Sequence, residues 1–333
     1  MPFVDKISDY KSVAIVGLDK NTGKTECLNY VLGRLKGRAE DFALTSIGID
    51  GEKSDQVTQT PKPEISIPEG MVFVTSEKHY RSRRLVAEIM DVSEEYTALG
   101  RMVTARAVSS GKVLLSGPSD TAGLKNMIER MECFGVKTTI VDGALSRLSP
   151  ASPAVTQAMI LATGAAVSAN IPSLVRRTAY IYELIRLQRA DKTLADKLMN
   201  IDSGLWAVDE DGEVRDLGIA SVFMLDRRKK DLFRYGHRLY VPGVISDKFL
   251  NFLRIQKENT DLIIRDFTRV FASYDVYNAF IRSGGRMYAL LCSKLLAVTI
   301  NPLAPNGFRL DSDRLKEALQ EALGIPVYDV KRI

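Results

Sequence analysis

Along this chain short apolar runs alternate with stretches in which apolar residues recur at helical spacing. VAIV (13–16) is a β-branched run, which suits a buried strand. In the segment that follows, 25–35, Leu28, Val31, Leu32 and Leu35 stand at i, i+3, i+4 and i+7, which makes one face of a helix apolar. The same alternation predicts strands at 42–50, 70–76, 111–118, 136–143 and 158–165, and helices at 80–90, 96–108, 119–135 and 171–188. The helix at 119–135 carries both of its stops, with Ser119 or Asp120 as N-cap and Gly135 just past its end. Prolines within 53–69 bar a central strand there.

This βαβα order with apolar strands predicts an α/β fold, a mainly parallel sheet with helices on both faces. Ligands of such sheets bind beyond the carboxyl ends of the strands. The places to search are therefore 17–25, 49–55, 76–81, 116–120, 142–152 and 163–170. The pattern changes near residue 195, where a hairpin around DEDG (204–220) is followed by strands in RLYVPGVI, TDLIIRDF and KLLAVTINPL. A last helix, 313–323, is capped by Asp311 or Ser312. The expected division is 1–195 for a nucleotide-binding domain and 196–333 for a C-terminal α/β region, which is also able to continue the first sheet.

Composition narrows the function classes. The net charge of +5, from 46 basic and 41 acidic residues, is mild for 333 residues and gives no argument for nucleic acid. The densest basic cluster, RRKK (227–230), lacks interleaved aromatics. Three scattered cysteines and two distant histidines supply neither a metal-ligand spacing nor a histidine triad, and the sparse cysteines fit a reducing compartment. No apolar run approaches the ~18 residues that a membrane span needs. A soluble, cytoplasmic protein is the expectation.

The chemistry concentrates between the first strand and the first helix, in GLDKNTGKT (17–25). Backbone N–H groups at a helix N-terminus are unpaired, and the helix dipole adds partial positive charge, so an anion is favoured there. Lys24 suits β- and γ-phosphates, Thr25 a Mg²⁺ ion, and Gly23 a close approach of backbone to phosphate. The spacing departs from G-x-x-x-x-G-K-[ST], because Gly17 stands one residue too early and Leu18 fills the usual place. A carboxylate is needed to position the metal's water shell. Asp142, which ends the strand TTIVDGA, is the first candidate, and Asp50 in SIGIDGE is its rival. SEKHYRSRR (76–84) offers Lys78, His79, Arg81, Arg83 and Arg84 as an anion clamp or as a solvated helical turn, and SGPSDTAG (116–123) is a second potential nest. Asn301 and Asn306, in INPLAPNG, are placed to reach a base edge or simply to make a turn.

Gly17, Asp19, Gly23, Lys24 and Thr25 together resemble the phosphate loop of dethiobiotin synthetase and its relatives, which use ATP to activate a carboxylate or carbamate. The longer stretches VDKISDYKSVAIVGLDKNTGKTECLNYVL, LTSIGIDGE and VDGALSRLSPASPAVTQAMILATGAA resemble the lysine 5,6-aminomutase reactivase family, in its smaller ATPase-type subunit, KamB. That resemblance implies a P-loop NTPase-like fold, ATP and Mg²⁺ as cofactors, and a MutS-like ATPase subunit as partner. It also implies an adenosylcobalamin-dependent aminomutase as client. In that setting Gly17, Asp19, Asn21, Thr22, Gly23, Lys24, Thr25, Glu26 and Asn301 would bind the nucleotide. Thr25 with Asp142 or Asp50 would bind the metal, and Lys24 and Asp142 would carry the chemistry. A small-acid ligase or kinase, and a nucleotide-binding regulator without turnover, remain the alternatives. No membrane or nucleic-acid partner is expected, and self-association stays open.

Overall fold

The apolar run at 13–16 becomes the middle of a broad sheet. The computed structural model describes residues 3–47, 65–118, 120–144, 152–222, 231–256 and 259–333. In chain order the first part contains β1 (Ser12–Gly17), α1 (Lys24–Arg34), β2 (Phe42–Ser46), β3 (Ser66–Ile67), β4 (Val72–Ser76), α2 (Glu77–Arg81), β5 (Ala87–Thr97) and β6 (Gly100–Ala107). It continues with β7 (Gly111–Lys112), α3 (Thr121–Met131), β8 (Thr138–Ala144), β9 (Ala158–Gly164) and α4 (Ile171–Ile185). Then come β10 (Gln188–Arg189), α5 (Lys192–Leu198), β11 (Leu205–Val208), β12 (Val214–Ile219), β13 (Arg238–Val241), α6 (Asp247–Ile255), β14 (Asp261–Ile264), α7 (Tyr274–Arg282) and β15 (Arg286–Ala289). The chain closes with β16 (Lys294–Asn301), α8 (Ser312–Leu323) and β17 (Val327–Tyr328).

The chain divides into two compact units, Met1–Ala179 with Ser293–Ile333, and Tyr180–Cys292. The last strands continue the first sheet, the alternative the sequence left open, and Tyr180–Cys292 forms a separate unit in place of a single division at 195. The second unit is an insertion, and the chain returns from it to the first sheet. Sequence pattern places strands but not their partners, and β16 pairs in parallel with β9 along its whole length.

The first unit is an α/β structure. Its nine-stranded sheet has the order β17-β16-β9-β1-β8-β2-β4-β6-β5, parallel except at β6 and β5. Alternate residues of each central strand enter different cores. Val13, Ile15, Phe42, Leu44 and Phe73 pack with Leu28, Val31 and Leu32 of α1. Ala43, Val72 and Val74 pack with Met131 of α3, and Val141 packs with Leu124 and Ile128 of the same helix. Helices therefore cover both faces, which a buried parallel sheet requires. Each fully buried Leu, Val or Ile contributes about 1.5–3 kcal/mol.

The second unit is a six-stranded sheet of order β10-β15-β14-β13-β11-β12, in which β13, β14, β15 and β10 run parallel. The hairpin expected at 204–220 is β11–β12. Asp191 caps α5 and Ser246 caps α6 through their side chains. Among the described residues no helix is long and apolar enough to cross a membrane.

Two expected helices fold differently. Residues 96–108 fold mainly as β6, which buries Val103, Ala105 and Ala107 while pairing with β4, and most of 80–90 belongs to α2 and β5. Ala, Met and Arg give this stretch helical propensity, but an open edge on β4 offers a ladder that local propensity cannot outweigh. Gly100, at φ +90°, turns the hairpin, and the Thr97 hydroxyl donates to its carbonyl at 2.7 Å. The expected strand at 111–118 pairs only at Gly111–Lys112, with β3 and, at Lys112, with Arg84. Its remainder is buried without a ladder, held by side chains: Thr75 Oγ1 donates to the Leu114 carbonyl at 2.6 Å, and the Ser76 amide donates to Ser116 Oγ at 2.7 Å.

His79 is buried at 4% exposure, with its Nδ1 at 3.1 Å from Ser116 Oγ. Burial first, and the nearby Lys78 charge second, hold its pKa below the ordinary 6.5. The unfolded chain therefore binds a proton that the folded chain refuses, and stability falls as pH drops below about 6.5. Urea unfolding midpoints measured between pH 8 and pH 5 should fall with acid, and His79→Gln should flatten that slope. An unchanged slope in the variant would remove His79 as its source.

Candidate functional site

The turn between β1 and α1 is built by close contacts. The Leu18 amide donates to the Ala162 carbonyl at 2.8 Å, so β1 keeps its ladder to β9 one residue beyond Gly17. The chain then folds back: Thr22 Oγ1 donates to the Asp19 carbonyl at 2.9 Å, and Asp19 Oδ1 accepts from the Lys20 amide at 2.8 Å. A Cβ at Gly17 would lie 2.6 Å from Thr22 Oγ1, so this tight return needs glycine. The residue that spoils the usual spacing is absorbed in this 19–22 turn. Asn21 has φ +60°, and among the described residues no other non-glycine residue has a positive φ. Gly23, at φ +89°, is the N-cap of α1, and no side chain caps that helix.

Strand order places one of the two candidate carboxylates, Asp142, beside the loop. β8 lies directly beside β1, in parallel, with Asp142 opposite Ile15, whereas β2 lies beyond β8. Asp142 therefore stands next to the loop. Its Oδ1 is 3.0 Å from Lys24 Nζ, and the two side chains are 10% and 18% exposed. Buried Oδ1 accepts no properly angled hydrogen bond among the described residues, so the ammonium is its charge partner only. The Asp142 carbonyl accepts from the Ser46 hydroxyl at 3.1 Å, which ties this strand end to β2. Asp50 lies outside the described residues, as do Glu52, Ser119, the RRKK cluster and residues 145–151.

Other expected ligands do different work. The Asn301 amide lies against the loop and its own turn. Its Nδ2 donates to the Asn21 carbonyl at 3.4 Å and its Oδ1 accepts from the Leu303 amide at 3.3 Å. A Cβ at Gly23 would lie 2.7 Å from Asn301 Cβ, so this residue backs the loop from β16. Asn306 Oδ1 accepts from the Phe308 amide at 3.1 Å within its own turn, the structural role rather than the base-binding one. Glu26 is ion-paired with Lys331 at 2.9 Å and ties α1 to the end of the chain. Cys27, fully buried behind the loop, has its thiol pKa pushed up to about 12, chiefly by burial, and is chemically inert.

Comparison of the chain with protein-family models, with curated proteins and with solved structures returned no match. Mg²⁺ takes one or two carboxylates together with phosphate oxygens and water. Asp142 supplies a carboxylate for that shell, and Thr25 a hydroxyl in the first turn of α1. Among the described residues no group of three His, Cys, Asp or Glu is gathered to hold a metal without such help. An uncapped helix start and a carboxylate balanced by one ammonium have the chemistry that a magnesium–polyphosphate would use.

The second basic cluster is separate. Lys78 and Arg81 line a surface cavity with Glu77, Ser82 and Leu99, and Arg81 is ion-paired with Glu77. The cavity adjoins the end of β4, three strand positions from β1. At about 4.8 Å per strand that is roughly 14 Å away. The 116–118 stretch is packed shut, since a Cβ at Gly117 would meet the Ser46 carbonyl at 1.6 Å. One residue that motif reasoning passed over does reach the loop: Arg177 of α4, whose Nη2 is 3.9 Å from Asp19 Oδ2.

Gly23→Ala would impose both a left-handed alanine and a clash with Asn301. The variant should lose about 1–3 kcal/mol of stability, measured by urea unfolding. An unaffected midpoint would show that the loop tolerates a side chain there.

Proposed function

We propose that this chain binds a magnesium–nucleoside triphosphate at residues 17–25 and belongs among the P-loop NTPases. On this reading it acts as the ATP-binding subunit of a reactivase for an adenosylcobalamin-dependent lysine 5,6-aminomutase. The observation that carries the nucleotide reading is the pairing of Lys24 with Asp142 at the carboxyl ends of adjacent parallel strands. These are the two charges such a ligand needs, one cation for phosphate and one anion for the metal's shell. The resemblance in the first 190 residues supports the reactivase part.

The protein's contribution follows from these groups. The loop amides and Lys24 bind phosphate, Thr25 and Asp142 orient the metal's water shell, and Asn301 keeps the loop in shape. Lys24 and Asp142 hold each other, so a magnesium–nucleotide has to replace both halves of their contact. Ligand binding thereby changes the loop's charge pairing. A ligand moves a conformational equilibrium only through such a difference between states, and a reactivase needs this to open its client. A ligase would need an acid-binding pocket beside the terminal phosphate, and the Lys78–Arg81 cavity is too far away to be that pocket.

Lys24→Ala should weaken Mg-ATP binding by about 10- to 100-fold, the worth of one charged hydrogen-bonding group. It should also cost about 1–3 kcal/mol of stability, because the Asp142 carboxylate is left partly buried without its cation. Calorimetric titration below the unfolding transition separates these effects, and an unchanged affinity would remove the loop from the site. Asp142→Asn should strengthen binding of ATP in EDTA by about 10-fold while weakening the response to Mg²⁺. Equal affinities with and without metal in both proteins would take Asp142 out of the metal's shell. The reactivase part is checked by adding the chain, its partner ATPase and Mg-ATP to inactivated aminomutase. Nucleotide binding without recovery of that enzyme would leave the site standing and end the reactivase reading.

A further inference from the structure

We infer that Arg177 is the residue that reads the terminal phosphate, making the site prefer a nucleoside triphosphate over a diphosphate; this rests on the nucleotide reading above. Nothing in the sequence around Arg177 marks it, and the fold brings it to the loop. β9 pairs with β1, with Ala162 opposite Gly17. The helix that follows β9 is fastened to that strand's end by buried Thr178, whose hydroxyl lies 2.9 Å from that of Thr163. Arg177 is the residue before this anchor, so its Cα is held in place.

The guanidinium is placed between two loops at the carboxyl edge of the sheet. Nη1 donates to the Val167 carbonyl at 2.8 Å, and Nη2 lies 3.9 Å from Asp19 Oδ2. The second distance is too long for a hydrogen bond. It is an attraction between a side chain 56% exposed and another 47% exposed, which is weak in water. One edge of the fork is thus anchored, and the other faces the phosphate loop on a loose hold. Guanidinium presents five donors in a rigid plane, of which Val167 takes one.

Charge gives the reason for a second cation. Lys24 is balanced by Asp142, and Glu26 by Lys331. A triphosphate brings more negative charge than one ammonium and a divalent ion neutralise, and its last phosphate is where the excess lies. Arg177 exchanges the Asp19 carboxylate for that phosphate, which offers several oxygens to a planar fork. A diphosphate lacks the group that draws it across.

The test uses the full-length chain with Mg-ATP and Mg-ADP in parallel calorimetric titrations, for wild type, Arg177→Ala and Arg177→Lys. The expected result is a preference for ATP in the wild type that falls by about tenfold in Arg177→Ala, with ADP affinity unchanged. Arg177→Lys should restore part of the preference. If Arg177 only buttressed the loop, both affinities would fall together and the ratio would stay constant, which overturns the inference. If the wild type binds neither nucleotide, the nucleotide reading fails and takes this inference with it. Wild-type binding with an unmoved ratio fails Arg177 alone.

Discussion

Parallel pairing of β8 against β1 is the constraint on which the site depends. It sets one carboxylate beside the first-turn lysine, at the edge of the sheet where strand ends leave backbone groups open to a ligand. The pair is mostly buried and therefore poorly screened. Removing either partner leaves the other costly, and replacing both at once is favourable only for a ligand that carries both signs of charge. A metal–polyphosphate is such a ligand. A free anion or a free cation is not.

Around this pair the loop is shaped by what cannot fit. Gly17 yields to Thr22, and Gly23 yields to Asn301, which reaches across from β16. β16 returns to the first sheet only after the whole second unit has been made, so the loop near the start of the chain is completed by a residue from near its end. The side-chain amide of Asn301 donates one hydrogen bond to the loop carbonyl of Asn21 and accepts one from the Leu303 amide.

The carboxyl edge of the sheet is not uniform. Near β1, β8 and β9 it presents glycine turns, an ion pair and the guanidinium of Arg177. Near β2 and β4 it is closed by Ser116 and Gly117, which seat on Ser76, His79 and Ser46. The His79 imidazole belongs to this closure, and its resistance to protonation is the result of burial. Basic residues in one short stretch of sequence thus part ways, with His79 turned inward and Arg81 left on the surface against Glu77.

Local order was legible in the residues alone. The β-branched run at 13–16, the apolar stripe of α1, the glycine turn between them and the capped helix after Asp120 follow from nearest-neighbour chemistry, which spacing records. The α/β class followed from their alternation. Pairing did not, because a strand's partner is set by which edge is open and not by its own composition. Hence 96–108 became mostly strand, the second unit became an insertion between Ala179 and Ser293, and Asn301 came to lie against the loop. The same holds for the choice of Asp142 and the arrival of Arg177. Each depends on contacts between residues more than a hundred positions apart, and only the folded sheet makes those.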